Sequence, residues 1–500
     1  MDMHRSSSIA PRSVHEPRSP KTMENKLPSP VPLPARGRVR VGAARMTDAS
    51  NFQRRLVTLV ALLALAVARS HPASAAPVLG VDVTYTVDSD FDQGTLLNAN
   101  HDVPNADQLR LNRATSPLPF VYIAASARGT IVRIDVNTGA IEGEYLTAPT
   151  GMGRDPSRTT VDQLGNVWVA NRAEGGISRL QRRGSVARVG ILIGGTRVDA
   201  SGTSNSSGQY VAPPFEYSTC IDRDSDGLIK TSRGLANILP WTNTGGADTH
   251  GGVSTAEDEC IINYTRVTGT NTRTVAIDAN NDVWVGGYGD LDHEKLSGVT
   301  GLPIPGAQFN MGCGGYGGLV DGHGVLWSAQ FAGRLLRFNT STMTGTCLSG
   351  VGQYGLGIDP QTGNIWHTYL HGNSVCQLAP SGTPIACYEH GGDNAQGVAV
   401  DGGGNVWVAH SLYYYTTVGH VRTDGTFVGN VPLPGGIGAT GVAVDANGKV
   451  WVANYGSNNT MRIDPTAGPI GGGGFPVGAV DLTVDLGAGA RAYNYSDKLQ

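Results

Sequence analysis

An all-β repeat architecture is predicted by three features of the 500-residue chain: its glycine content, a recurring Asp-turn-Trp hairpin, and the spacing of the copies. Glycine reaches 70 residues without a collagen period, which points to many tight turns. The clearest hairpins span residues 441–454 and 397–410, with weaker copies at 159–171, 274–287, 317–330 and 355–369. Their tryptophans are Trp168, Trp284, Trp327, Trp366, Trp407 and Trp451, and the last four intervals are 43, 39, 41 and 44 residues. One four-stranded propeller blade has a period of about 40–50 residues. A degenerate copy puts Tyr122 in the Trp place, 46 residues before Trp168. The expected fold is therefore a β-propeller of about seven four-stranded blades over residues 118–490, with a calcium-loop insertion in an early blade.

The segments before the repeat differ from it. Residues 1–45 are rich in Ser, Pro, Arg and Lys, show no periodicity, and read as disordered or upstream of the true start at Met46. Residues 46–75 read as a signal peptide. Arg54 and Arg55 begin it, residues 56–68 are apolar except for Thr58, and Ala73-Ser74-Ala75 precedes cleavage near Ala76. The apolar run is too short to span a bilayer, so no stable membrane insertion is expected. Residues 76–117 form an N-terminal segment whose strand near 83–87 is expected to close the ring on the last blade.

The hairpin has a physical logic. Asp162, Asp278, Asp321, Asp359, Asp401 and Asp445 end the first strand, where a carboxylate accepts the N–H groups of the turn. The Trp on the following strand buries a large area between stacked sheets. The Asp-to-Trp distance is six residues in five copies and seven from Asp359 to Trp366.

One interval breaks the period. Trp168 and Trp284 lie 116 residues apart, and the excess falls in residues 196–262. This insertion carries Asp222-Arg223-Asp224-Ser225-Asp226-Gly227-Leu228, the first half of an EF-hand-type loop. The Asp222, Asp224 and Asp226 carboxylates with the Leu228 carbonyl offer hard oxygen ligands to calcium. The twelfth position is Arg233, so a distant carboxylate must complete the shell. The run Glu257-Asp258-Glu259 before Cys260 is placed to supply it, with Glu257 and Asp258 as the expected ligands. Six cysteines behind an export signal imply disulfides. Neighbourhood pairs Cys376 with Cys387 across a turn and Cys220 with Cys260 around the acidic loop, which leaves Cys313 with Cys347.

Candidate chemistry is sparse. Histidines gather in the later blades, and His367, His390 and His410 are the candidates for a metal ligand or general base at the channel mouth. Individually hydrogen-bonded core histidines are the favoured reading. Tyr413-Tyr414-Tyr415 forms an aromatic loop that could, if exposed, stack on a sugar or peptide.

The repeat Gly-Val-Ala-Val-Asp-x-x-Gly-x-Val-Trp-Val-Ala-Asn resembles the streptogramin (virginiamycin B) lyase and NHL-repeat propellers. That resemblance implies a propeller fold and, for the lyases, metal-assisted elimination using His and Glu. Magnesium is expected only on that reading. Where lyase repeats end in Glu, this chain carries Asn171, Gly287, Gln330, Tyr369, His410 or Asn454.

After residue 76 the chain holds 25 basic against 37 acidic residues, which argues against nucleic-acid binding. The leading expectation is an exported scaffold, secreted, periplasmic or at the cell surface. It would be a monomer with a structural calcium site, binding an unknown extracellular ligand, glycan or protein. A metal-dependent lyase and a structural cell-surface module are the alternatives.

Overall fold

The computed structural model describes residues 118–494 apart from 173–182, 200, 204–208, 245–251, 332, 353 and 413, together with residues 89, 99–100 and 110–111. The chain divides into two compact units, residues 1–94 with 103–108 and residues 95–102 with 109–500. The second unit holds the repeat. The expected disordered leader, the signal peptide and the 83–87 strand lie outside the described residues.

Seven antiparallel sheets follow one another along the chain as the blades of a β-propeller. Six have four strands each, and the first has three, Phe120–Ala125, Thr130–Asp135 and Ile141–Leu146. In the third to seventh blades the spatial order is the chain order, as in Ala439–Val444, Val450–Asn454, Asn459–Asp464 and Ala479–Asp485. The second blade departs from this. Its outer strand, Ile261–Thr270, returns after the insertion to pair with Arg183–Val189. The inserted segment thus leaves the blade after Val189 and rejoins it at Ile261.

The second strand of each blade is covered on both faces, and its large side chain fills the gap to the next blade. Trp168 packs with Val275 and Val283, Trp284 with Leu326 and Phe338, and Trp327 with Leu356 and Ile365. Trp366 packs with Val398 and Val406, and Trp407 with Val442 and Val450. Trp451 then meets Val121 and Ile123 of the first blade, and Tyr122 sits with Val167 and Val169 of the second. Seven such seams make a closed ring.

Burying an indole also buries its N–H, which must be paired. The turn aspartate does this as well as capping its own hairpin. Trp168 Nε1 donates to Asp162 at 3.0 Å, Trp327 to Asp321 at 2.8 Å, and Trp451 to Asp445 at 2.9 Å. Trp284 and Trp407 repeat the bond at 3.2 and 3.1 Å. The copy with one extra residue loses it: Trp366 Nε1 has no partner among the described residues, and Asp359 takes the Thr362 hydroxyl instead. Across the ladder, the third strand places a cation or a flat polar group opposite the ring. Arg188 lies 4.9 Å from the Trp168 centroid, Lys295 5.6 Å from Trp284, Arg337 5.5 Å from Trp327, and His420 stacks on Trp407 at 4.0 Å.

Ring closure comes from the C-terminal side. Ala492 bridges to Ala125, Tyr493 N–H donates to the Ala124 carbonyl, and Asn494 Nδ2 donates to the Tyr122 carbonyl at 2.8 Å. Residues 490–494 thereby stand where the first blade lacks an inner strand. The chain reaches them from Ala479–Asp485 through Gly487 and Gly489, whose φ values of +77° and +74° suit glycine. The last blade has four strands of its own, and residues 490–494 pair with the first blade.

The Asp–Trp bond separates two otherwise similar hairpins. Asp445→Ala removes an indole acceptor that Asp359→Ala does not, so it is expected to destabilise by roughly 1.5–3 kcal/mol more. Urea unfolding of the two variants beside the wild type measures the difference. Equal losses would show that the indole bond contributes nothing.

Candidate functional site

Inner strands begin, and second strands end, at one mouth of the ring. Half of that mouth is filled. Tyr316 and Tyr354 are buried, with Tyr288, Leu370 and Tyr493 packed against them. Their hydroxyls form a chain: Arg273 Nη1 donates to Tyr316, Tyr316 to Tyr354 at 2.8 Å, and Tyr354 meets Tyr493 at 2.9 Å. Arg273 lies 4.5 Å from the Tyr316 centroid. Burial pushes the Tyr316 phenol up, so it stays a neutral donor.

The other half is open. A cavity of about 410 Å³ lies among the loops of the sixth, seventh, first and second blades. Its polar lining comes from Arg154, Asp155, Arg172, Gln396, Tyr455 and Arg491. Each is placed by its blade. Arg154 and Asp155 precede Pro156–Val161, Arg172 follows Val167–Asn171, and Tyr455 follows Val450–Asn454. Arg491 and Tyr493, which also lines the cavity, ride on the closing strand.

The charges here are uneven. Arg172 is paired with Asp155 and lies 5.0 Å from the Tyr493 centroid. Arg491 reaches the Tyr455 hydroxyl and lies 5.7 Å from that ring's centroid, with no carboxylate partner among the described residues. Arg154 likewise has none among them, and burial alone pushes its guanidinium below its ordinary pKa. Gln396 is 5% exposed, and its side-chain carbonyl makes no hydrogen bond among the described residues.

The acidic loop lies elsewhere, in the insertion. The three disulfides join the expected pairs, Cys220–Cys260, Cys313–Cys347 and Cys376–Cys387. The first draws the 257–260 run beside 220–223, with the Ile221 N–H bonded to the Glu259 carbonyl. Asp222, Asp224 and Glu259 then bring one oxygen each within 4.8 Å of one another. Oxygens bound to one hard cation at about 2.4 Å can lie no farther apart than about that span, so the spacing of these hard donors is compatible with a shared cation.

The third carboxylate is Glu259 rather than Glu257 or Asp258. Successive residues point to different sides. Glu257 pairs outward with Lys230 at 2.9 Å. Asp258 turns inward, where Thr231, Ser232 and the Cys260 N–H occupy its oxygens. Glu259 is buried and accepts the N–H groups of Arg223 and Lys230 at 2.7 and 2.8 Å. Asp226 stands outside the three-residue group and accepts the Leu228 N–H at 2.8 Å.

The histidines do not converge on the cavity. His367 is buried, and its Nδ1 accepts the Gly352 N–H at 3.2 Å. His390 Nδ1 and His410 Nε2 share a bond of 3.0 Å inside the fifth–sixth seam, and Thr417 Oγ1 lies 2.8 Å from His410 Nδ1. None of the three lines the cavity, and the acidic triplet is the one group among the described residues arranged to hold a metal. Packing accounts for these histidines. In the aromatic loop Tyr414 is exposed against a more covered Tyr415, while Tyr413 lies outside the described residues.

Burial makes these histidines acid-sensitive. It pushes His410 down to about 3, and His367 and His293 down to about 4, from an ordinary 6.5. The unfolded chain takes up those protons near pH 6.5 while the folded chain resists them. Their contribution is therefore full above that pH and is lost as pH falls towards 4. Unfolding free energies measured from pH 7 to 4 should fall, with a shallower slope in His410→Gln. A slope unchanged in that variant would contradict the assignment.

No protein-family model matches the chain, and no curated protein matches its sequence. Among solved structures it is similar to a streptogramin B lyase at 17% identity, covering 42% of this chain and 70% of that one, with a TM-score of 0.36. It is also similar to a catalytically inactive virginiamycin B lyase from Staphylococcus aureus with quinupristin, at 12% identity, 66% and 87% coverage and a TM-score of 0.41. A protein of unknown function from Desulfotomaculum acetoxidans aligns at 12% identity over 73% of this chain and 99% of its own, with a TM-score of 0.46. The propeller assignment stands on the chain's own seven sheets.

Proposed function

We propose that the chain is an exported binding propeller that takes a small extracellular ligand into the half-open mouth, with calcium holding the insertion. The observation that carries this reading is the cavity of about 410 Å³ beside a mouth otherwise filled by tyrosines. Small-molecule sites are concave, mostly preformed, and lined by apolar walls with a few convergent polar groups. The mouth has that character. Tyr455 and Tyr493 supply walls, and Gln396, Arg154 and Arg491 supply polar ends. Export agrees with the N-terminal signal pattern and with three disulfides, which persist in oxidising compartments.

In this reading the acidic loop is structural. Asp222, Asp224 and Glu259 would hold the cation, which would supply charge neutralisation between the loop and the 257–260 run. The insertion rests on Trp241, which is buried with Tyr264 and donates to the Gly252 carbonyl at 2.9 Å. The loop itself is exposed and offers little apolar area. A metal clip is the kind of staple such a segment needs.

Two measurements test this. Calcium at a hundredfold excess over Kd should stabilise the wild type by about 2.7 kcal/mol. Asp224→Asn should lose that gain while matching the wild type in chelator. Equal thermal midpoints with and without calcium in the wild type would reject the site. Thermal-shift screening against monosaccharides and small organic acids should find stabilisers whose effect Tyr455→Ala abolishes. Stabilisers that act equally on that variant would place the ligand elsewhere.

A further inference from the structure

From the charge balance of the mouth we infer that its ligand is a small hydroxylated carboxylate of sugar-acid size, held at its acid group by Arg154 and Arg491 and at a hydroxyl by Gln396. This rests on the cavity being the ligand site. Three guanidiniums face a single carboxylate there, and Asp155 is already paired with Arg172. Arg154 and Arg491 are left without an acidic partner among the described residues, in a body that is otherwise acidic. Arg154 is partly desolvated and would be stabilised by an anion, and the planar fork of either guanidinium suits a carboxylate.

Gln396 points the same way independently of charge. Gln396 lines the cavity, and its side-chain carbonyl oxygen is buried and accepts no hydrogen bond among the described residues. Leaving such an acceptor unmet is costly, so the occupant should bring a hydroxyl donor as well as an anion. Tyr455 and Tyr493 meet at 5.9 Å in an edge arrangement beside Arg491, which offers a wall for the C–H face of a sugar ring. The volume is at the small end for ligand pockets and suits a single ring better than a chain of them.

The test is calorimetric titration of the full chain with D-glucuronate, D-glucose and sodium sulfate. D-Glucuronate should bind saturably, with D-glucose and sulfate each at least about tenfold weaker. Arg154→Gln and Arg491→Gln should each lose roughly ten- to a hundredfold. Gln396→Leu should lose affinity for glucuronate and leave sulfate unchanged. Salt dependence in the wild type gives a reading that no loop rearrangement in Arg154→Gln can disturb: affinity for glucuronate should fall as sodium chloride rises. Equal binding of D-glucose and D-glucuronate, lost in Tyr455→Ala but kept in both arginine variants, would overturn the anion inference and leave the cavity as the site. Sulfate matching D-glucuronate would overturn the hydroxyl part. Glucuronate binding untouched by all four substitutions, or absent altogether, would overturn the inference outright.

Discussion

A sheet with two apolar faces has no stable place at the end of a stack, and that constraint shapes everything in this protein. Each second strand is buried on both sides, with its indole pushed into the neighbouring blade. The only arrangement that covers every such face is a ring. Closing it raises a second problem, because each buried indole carries an N–H. The turn aspartate solves it where the hairpin has its usual length. One added residue between Asp359 and Trp366 breaks the bond.

Closure also decides where a ligand site can form. The strand that seals the ring, residues 490–494, brings Arg491 and Tyr493 to the mouth. On the far side, tyrosines from the third to fifth blades fill the space. On the closing side the lining carries charged and polar groups, and a cavity remains. Ring closure and the cavity lining thus share one short segment, residues 490–494.

Much of the fold is legible in the sequence because its signals are local. The Asp-turn-Trp hairpins repeat within a few residues of themselves, and the disulfides join near neighbours. The cation opposite the first four rings is also within view, as Arg133, Arg188, Lys295 and Arg337, but needs the register to be recognised. The illegible features are non-local. Closure by residues 490–494 has no repeat signature. Spacing alone favours Glu257 and Asp258 for the acidic loop over Glu259, because which of the three faces the loop depends on backbone direction. His367, His390 and His410 look convergent at the mouth by spacing, but packing holds the bonded His390–His410 pair inside the fifth–sixth seam, and none of the three lines the cavity. The cavity is assembled from four blades, so no single stretch of sequence announces it.

Residues 490–494 complete the first blade, and both the ring and its cavity depend on that. Hydrogen–deuterium exchange on a chain ending at residue 489 tests it most directly. Amides of Phe120–Ala125 and of Ala439–Val444, protected in the full chain, should exchange faster, while Val325–Gln330 on the opposite side should change least. Unchanged protection of Phe120–Ala125 would mean that the ring closes by another route.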